Sequence, residues 1–127
     1  MDYGFSRKPG CSFDRARERI EEALAAEGFG VLTEIDLQAT LRKKLDVDFR
    51  RYVILGACNP PFAHQALSRD LAVGLLMPCN VILYEDDEGD VVVAGLNVEA
   101  VMGSAAPPLA DLAASIDAKL RAALARL

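Results

Sequence analysis

The residue types best suited to chemistry stand in two Cys-Asn dipeptides, Cys58-Asn59 within Gly56-Ala-Cys-Asn-Pro-Pro61 and Cys79-Asn80 within Met77-Pro-Cys-Asn-Val81. A thiolate is a nucleophile, a soft metal ligand and one half of a disulfide. A carboxamide next to it can both donate and accept hydrogen bonds. Core packing alone rarely needs Cys-Asn beside proline twice. His64, the single histidine of the chain, follows Asn59 by about one and a half helical turns. It is the third candidate metal ligand beside Cys58 and Cys79. The bland alternative is architectural: the cysteines are small buried hydrophobes, the asparagines cap backbone groups and His64 is a surface helix residue.

Two functions of different class fit these residues. The first is a homodimeric binding module that holds a small molecule or a soft metal at the Cys58/Cys79 end of a sheet, with Asn59 and Asn80 lining or bracing the site. Two cysteines are an incomplete zinc set, so His64, solvent or a second subunit would have to complete it. The second is a thiol-dependent redox enzyme in which one cysteine is the thiolate and the other resolves the disulfide. The chain has no Cys-x-x-Cys, nucleotide-cradling loop, serine elbow or metalloprotease helix motif, so neither a reaction nor a cofactor is specified. Cys11 stands beside a helix cap and receives no role.

Composition sets outer bounds. The 127 residues suit one domain spanning 1–127. Apolar residues make up 52% and charged ones 26%, a globular balance, and no apolar run approaches the ~20 residues of a membrane span. The first residues lack a secretory signal pattern, so we expect a cytoplasmic protein with reduced thiols; three cysteines are in any case an odd number. A net charge of −5 disfavours nucleic acid as a partner. Neither nucleic acid nor membrane is expected to bind.

The elements that must position the cysteines follow from periodicity. Tyr3, Phe5 and Arg7 alternate as a first strand before Pro9-Gly10. Ser12 caps a helix over about 13–27 carrying Phe13, Ala16, Ile20 and Leu24 on one face, and Gly28 ends it. Val31–Ile35 reads as a strand, and Asp36 caps a second helix with Leu37, Leu41 and Leu45. Residues 51–57 are apolar on both alternate faces, which suits a central strand. Asn59-Pro60 reads as a helix start with the Asn59 side chain as cap, opening a short helix to about residue 69. Cys79–Tyr84 and Val91–Leu96 form a hairpin across Glu85-Asp-Asp-Glu-Gly-Asp90, whose acids are too closely spaced for a calcium loop. Leu109, Leu112, Ile116, Leu120, Ala123, Leu124 and Leu127 trace one face of a long C-terminal helix, with Asp111 and Asp117 early to suit the helix dipole. The order predicts an α+β two-layer domain. One helical layer covers only one sheet face, so a homodimer is expected to cover the other. If strands 51–57 and 79–84 are antiparallel neighbours, both cysteines lie at one end of the sheet. The helix after Asn59 then aims its N-terminus toward Cys58, a setting that lowers a thiol pKa.

The stretches Tyr52-Val-Ile-Leu-Gly-Ala-Cys-Asn-Pro60, Ala63, Ala66-Leu67, Gly74-Leu-Leu-Met-Pro-Cys-Asn-Val81 and Tyr84-Glu85, together with Gly28-Phe-Gly30 and Glu34-Ile-Asp36, resemble the family catalogued as domain of unknown function 302. The resemblance covers most of the chain. It implies a small homodimer with a TATA-box-binding-protein-like α+β fold: a curved, mainly antiparallel sheet of about five strands backed by helices. It implies no established activity, and the fold likeness does not bring DNA binding with it. Asn97-Val98 stands where the family usually reads Asp-Pro, which removes an acid from that position.

Overall fold

The computed structural model describes residues 1–127. Five strands, β1 (Gly4–Arg7), β2 (Gly30–Asp36), β3 (Tyr52–Cys58), β4 (Cys79–Glu85) and β5 (Val91–Leu96), form one sheet in the order β1-β5-β4-β3-β2. Every neighbouring pair is antiparallel. The helices are α1 (Phe13–Ala26), α2 (Leu37–Leu45), α3 (Pro60–Arg69) and α4 (Ala110–Ala125). The expected α+β two-layer fold is therefore observed, including the long C-terminal helix.

Alternation divides the sheet. Val53, Leu55 and Ala57 of β3 and Cys79, Val81 and Leu83 of β4 are all buried on one face, because directly opposed residues of an antiparallel pair point the same way. Over this face lie α1 and α4, which also contact each other. Phe13, Ala16, Ile20 and Leu24 of α1 and Leu112, Ile116, Leu120 and Leu124 of α4 are buried there. Full burial of one such leucine or isoleucine contributes roughly 1.5–3 kcal/mol. The other face carries Ile35, Ile54 and Ile82 in one row and Tyr52 and Tyr84 in the next. The two tyrosine rings stack at 5.6 Å, yet all five side chains are half-exposed or exposed. Helix α2 packs along β2 and β3 without burying any of its residues.

Local chemistry sets the corners. Ser12 accepts from the Arg15 N–H at the start of α1, and Asp36 accepts from the Ala39 N–H at the start of α2. Helix α1 ends at Gly28, whose φ of +86° few side chains tolerate. The Phe29 N–H then returns to the Leu24 carbonyl at 2.9 Å, the pattern that satisfies the last carbonyls of a helix. In the β4–β5 hairpin the Asp86 carboxylate accepts from the N–H groups of Glu88 and Asp90, and Lys8 reaches Asp86, Glu88 and Asp90. The acidic turn thus holds a lysine from the chain itself.

Three local features were not foreseen. A 3₁₀ helix at Leu71–Leu76 bridges α3 to β4, and the Met77–Pro78 peptide bond is cis. A π-helical turn at Glu99–Gly103 follows β5 and packs on α4. Asn59 precedes α3 but makes no side-chain cap. Its amide nitrogen donates instead to the Glu27 carbonyl at 3.1 Å. Pro61, at the second helical position, lacks an N–H that a cap would have satisfied, and the Asn59 side chain braces the α1–β2 corner instead.

Candidate ligand site at one end of the sheet

Register brings the two signature strands together: Ala57 of β3 faces Cys79 of β4. Cys58 is the last residue of β3, so a single step along one strand separates the two cysteines across the pair. Both thiols are free. Cys58, Asn59 and Cys79 line one cavity of ≈ 20 Å³ between the sheet end, α3 and α4, with Ile116 on its wall. A space of that size holds one water or one ion.

The fourth signature residue is elsewhere. Asn80 sits opposite Gly56, one pleat on from Cys79, and is exposed on the open face. There it borders a different and largely apolar cavity of ≈ 160 Å³ with Met1, Tyr3 and Ile82. Gly56 is required beside it. A Cβ at that position would collide with the Thr33 hydroxyl and come within 2.7 Å of Pro78. His64 is exposed on α3, whereas Ala63 and Ala66, on the other side of that helix, border the cysteine cavity. The donor atoms of Cys58, Cys79 and His64 do not converge; the residues whose donors do lie within 4.8 Å of one another are Asp86, Glu88 and Asp90.

Electrostatics at the cavity is set by burial. Cys79 is 7% exposed, and its thiol is pushed up to about 11, first by desolvation and then by the nearby Cys58 and Asp117. Cys79 is protonated at neutral pH unless something replaces the proton.

Asp117 is the residue that periodicity misjudged. It is 4% exposed and serves no helix end of its own. Its carboxylate accepts from the Val98 N–H at 2.9 Å and from the Arg121 side chain at 2.7 Å, so it anchors the start of the π-helical turn to α4. A buried carboxylate needs such partners, since an unpaired one costs several kcal/mol. The signal was present: 117 falls beside 113, 120 and 124 on the buried stripe, and an arginine stands four residues on. Asn97, at the position where an acid was expected, accepts from the Ala100 N–H at 3.0 Å. Val98 keeps the N–H that a proline would lack.

No helix is long and apolar enough to cross a membrane. Comparison with curated proteins gives no match. The crystal structure of an uncharacterized conserved protein DUF302 from Bacillus stearothermophilus is similar to this chain at 31% identity with a TM-score of 0.90, over 99% of this chain and 98% of that one. The family model described as Domain of unknown function DUF302 matches residues 5–127, and the chain belongs to that family.

Proposed function

We propose that the protein is a homodimeric binding module whose site is the cavity at the Cys58/Cys79 end of the sheet. The observation that carries this reading is that Cys58, Asn59 and Cys79, 21 positions apart at their extremes, border one space of ≈ 20 Å³. Small organic ligands occupy pockets of roughly 300–1,000 Å³. The ligand that fits is therefore atom-sized, a soft metal ion in the first place. Thiol redox chemistry between Cys58 and Cys79 is the second reading, favoured by their adjacency on paired strands. The raised thiol of Cys79 weighs against it, because exchange needs a thiolate to attack.

The dimer accounts for the open face. Leu32, Ile35, Leu45, Val47 and Phe49 are exposed along β2, α2 and the segment leading to β3, and Tyr52, Ile54, Ile82 and Tyr84 continue the apolar surface inward. A second copy of the chain laid on this surface buries both like faces at once. Obligate dimers bury over ~2,000 Å² in total.

Metal analysis of the purified protein beside thiol titration with and without oxidant separates the readings. Metal that disappears in a Cys58→Ser variant supports binding, and a reversible loss of two thiols without metal supports redox chemistry. Sedimentation at micromolar concentration tests the assembly, and a monomer there contradicts it.

A further inference from the structure

The open face of the sheet is uneven. Along one cross-strand row Ile54 faces Ile82, Ile82 faces Ala94 and Ala94 faces Ser6, so the side chains shorten abruptly between β4 and β5. Gly4, two residues before Ser6 on β1, has no side chain at all. A Cβ on Gly95 would point inward at Phe5 and Leu120, so Gly95 shows only backbone to the open face. These small residues leave the cavity of ≈ 160 Å³ that Asn80 borders. Ala94 lies on the open face and is nevertheless only 4% exposed, because taller neighbours rise around it.

Part of the wall is the N-terminal segment, through Met1 and Tyr3, and that segment is tied down. The Asn97 N–H donates to the Tyr3 carbonyl at 2.8 Å, and the Asn97 amide nitrogen donates to the Asp2 carbonyl at 3.3 Å. An aspartate at that position could not make the second bond. The Met1 side chain lies over Gly4, where an added Cβ would stand 3.3 Å from the Met1 methyl group.

The geometry points to this cavity as a binding site for a small, neutral, ring-sized molecule of the phenol class, packed against Tyr3, Ile82 and Leu96 and oriented by the Asn80 carboxamide. It is separate from the cysteine cavity and does not rest on it. Size sets the class: an apolar protein cavity of roughly 150 Å³ takes up one benzene molecule. No charged side chain borders the space, so nothing on its walls offsets the desolvation of a charged ligand. The Asn80 carboxamide can both donate to and accept from a hydroxyl group. Asn59 and Asn97 give their amides to backbone carbonyls, whereas Asn80 is open to solvent. Apolar walls with one placed polar group are the usual makeup of a small-molecule site. The competing account is that the recess receives a side chain of a second copy laid on the open face.

The test is a titration of the isotope-labelled, full-length protein, without an N-terminal tag, with phenol, toluene and benzoate, followed by amide chemical shifts. The expected result is saturable shifts at Asn80, Ile82 and Ala94, with phenol bound more tightly than toluene and no saturable response to benzoate. Asn80→Ala, at an exposed position, should weaken phenol roughly two- to tenfold, the worth of one hydrogen bond, and leave toluene unchanged. Ala94→Leu should abolish both by filling the recess. Tyr3→Ala, at a 68% exposed position, should weaken both, and it carries the steric test should Ala94→Leu fail to fold. Cys58→Ser should change none of this, which keeps the outcome apart from that of the cysteine cavity. Phenol bound equally well by the Asn80→Ala and Tyr3→Ala variants, or benzoate bound as tightly as phenol, overturns the assignment. Absence of saturable shifts with all three compounds overturns the site, and a sedimentation coefficient altered by Ala94→Leu would then identify a second copy as the occupant.

Discussion

Asn59 and Asn80 each follow a cysteine in the same signature, yet one is 8% exposed and braces a corner while the other is open to solvent. The pleat explains the difference. Cys79 opens β4 on the buried face, so the next residue must point to the open face. Cys58 closes β3, and Asn59 has already left the strand, where alternation no longer binds it. Its amide turns inward to the Glu27 carbonyl. Identical dipeptides thus acquire opposite environments because one enters a strand and the other leaves one. The cysteines share one end of the sheet and the asparagines part.

That contrast can be broken from the interior side most severely. Ile116 is 5% exposed and borders the cavity from α4. Replacing it with aspartate places an unpaired charge in the core, at a cost of roughly 3–5 kcal/mol. Thermal unfolding should show a large fall in the midpoint, and an unchanged midpoint would mean that α4 packs differently.

The register between β3 and β4 is the next point of attack, since it decides which residue of the second dipeptide faces inward. Gly56→Ala drives a methyl group against Thr33 and Pro78. Overpacking of this kind costs about 1–3 kcal/mol. Denaturant unfolding should report the loss with an unchanged slope, and neutrality would show that β2 and Pro78 yield easily.

The asparagines themselves sharpen the comparison. Asn59→Ala leaves the Glu27 carbonyl without its side-chain donor and should cost about 1–2 kcal/mol. Asn80→Ala, at an exposed site, should change stability by less than ~0.5 kcal/mol. The pair is measured under one set of conditions in a denaturant series. Equal losses would erase the distinction drawn between the two dipeptides.

Much of this arrangement was legible in advance because it depends on local rules. The cap at Ser12, the glycine stop at Gly28, the hairpin over residues 85–90 and the apolar stripe of α4 are each written in a few adjacent residues. Their bounds in the structure differ by only a residue or two. The placement of Cys58 and Cys79 at one end of the sheet followed from one assumption, antiparallel pairing of β3 with β4, which holds. The features that escaped depend on distant partners. Asn59 reads as a cap until the Glu27 carbonyl, 32 residues earlier, claims its amide. Asp117 reads as a dipole partner until Val98 and Arg121 are found around it. Met77 and Met102 lie 25 residues apart with no common motif, and only the folded chain puts both beside the cysteines. The divergence of Asn80 required the exact pleat, and a one-residue change of register would have reversed it.

The most direct measurement is the alkylation rate of each cysteine, followed by mass spectrometry at neutral pH, in reduced protein with and without one equivalent of copper(I). Cys11, part-exposed beside Arg19 and not among the residues lining the cavity, is the internal reference. Without metal, Cys79 should react far more slowly than Cys11, since it is buried and its thiol is pushed up to about 11. With metal, Cys58 and Cys79 should become protected together while Cys11 keeps its rate. Protection of neither cysteine, or of one without the other, would contradict a shared site at the end of the sheet.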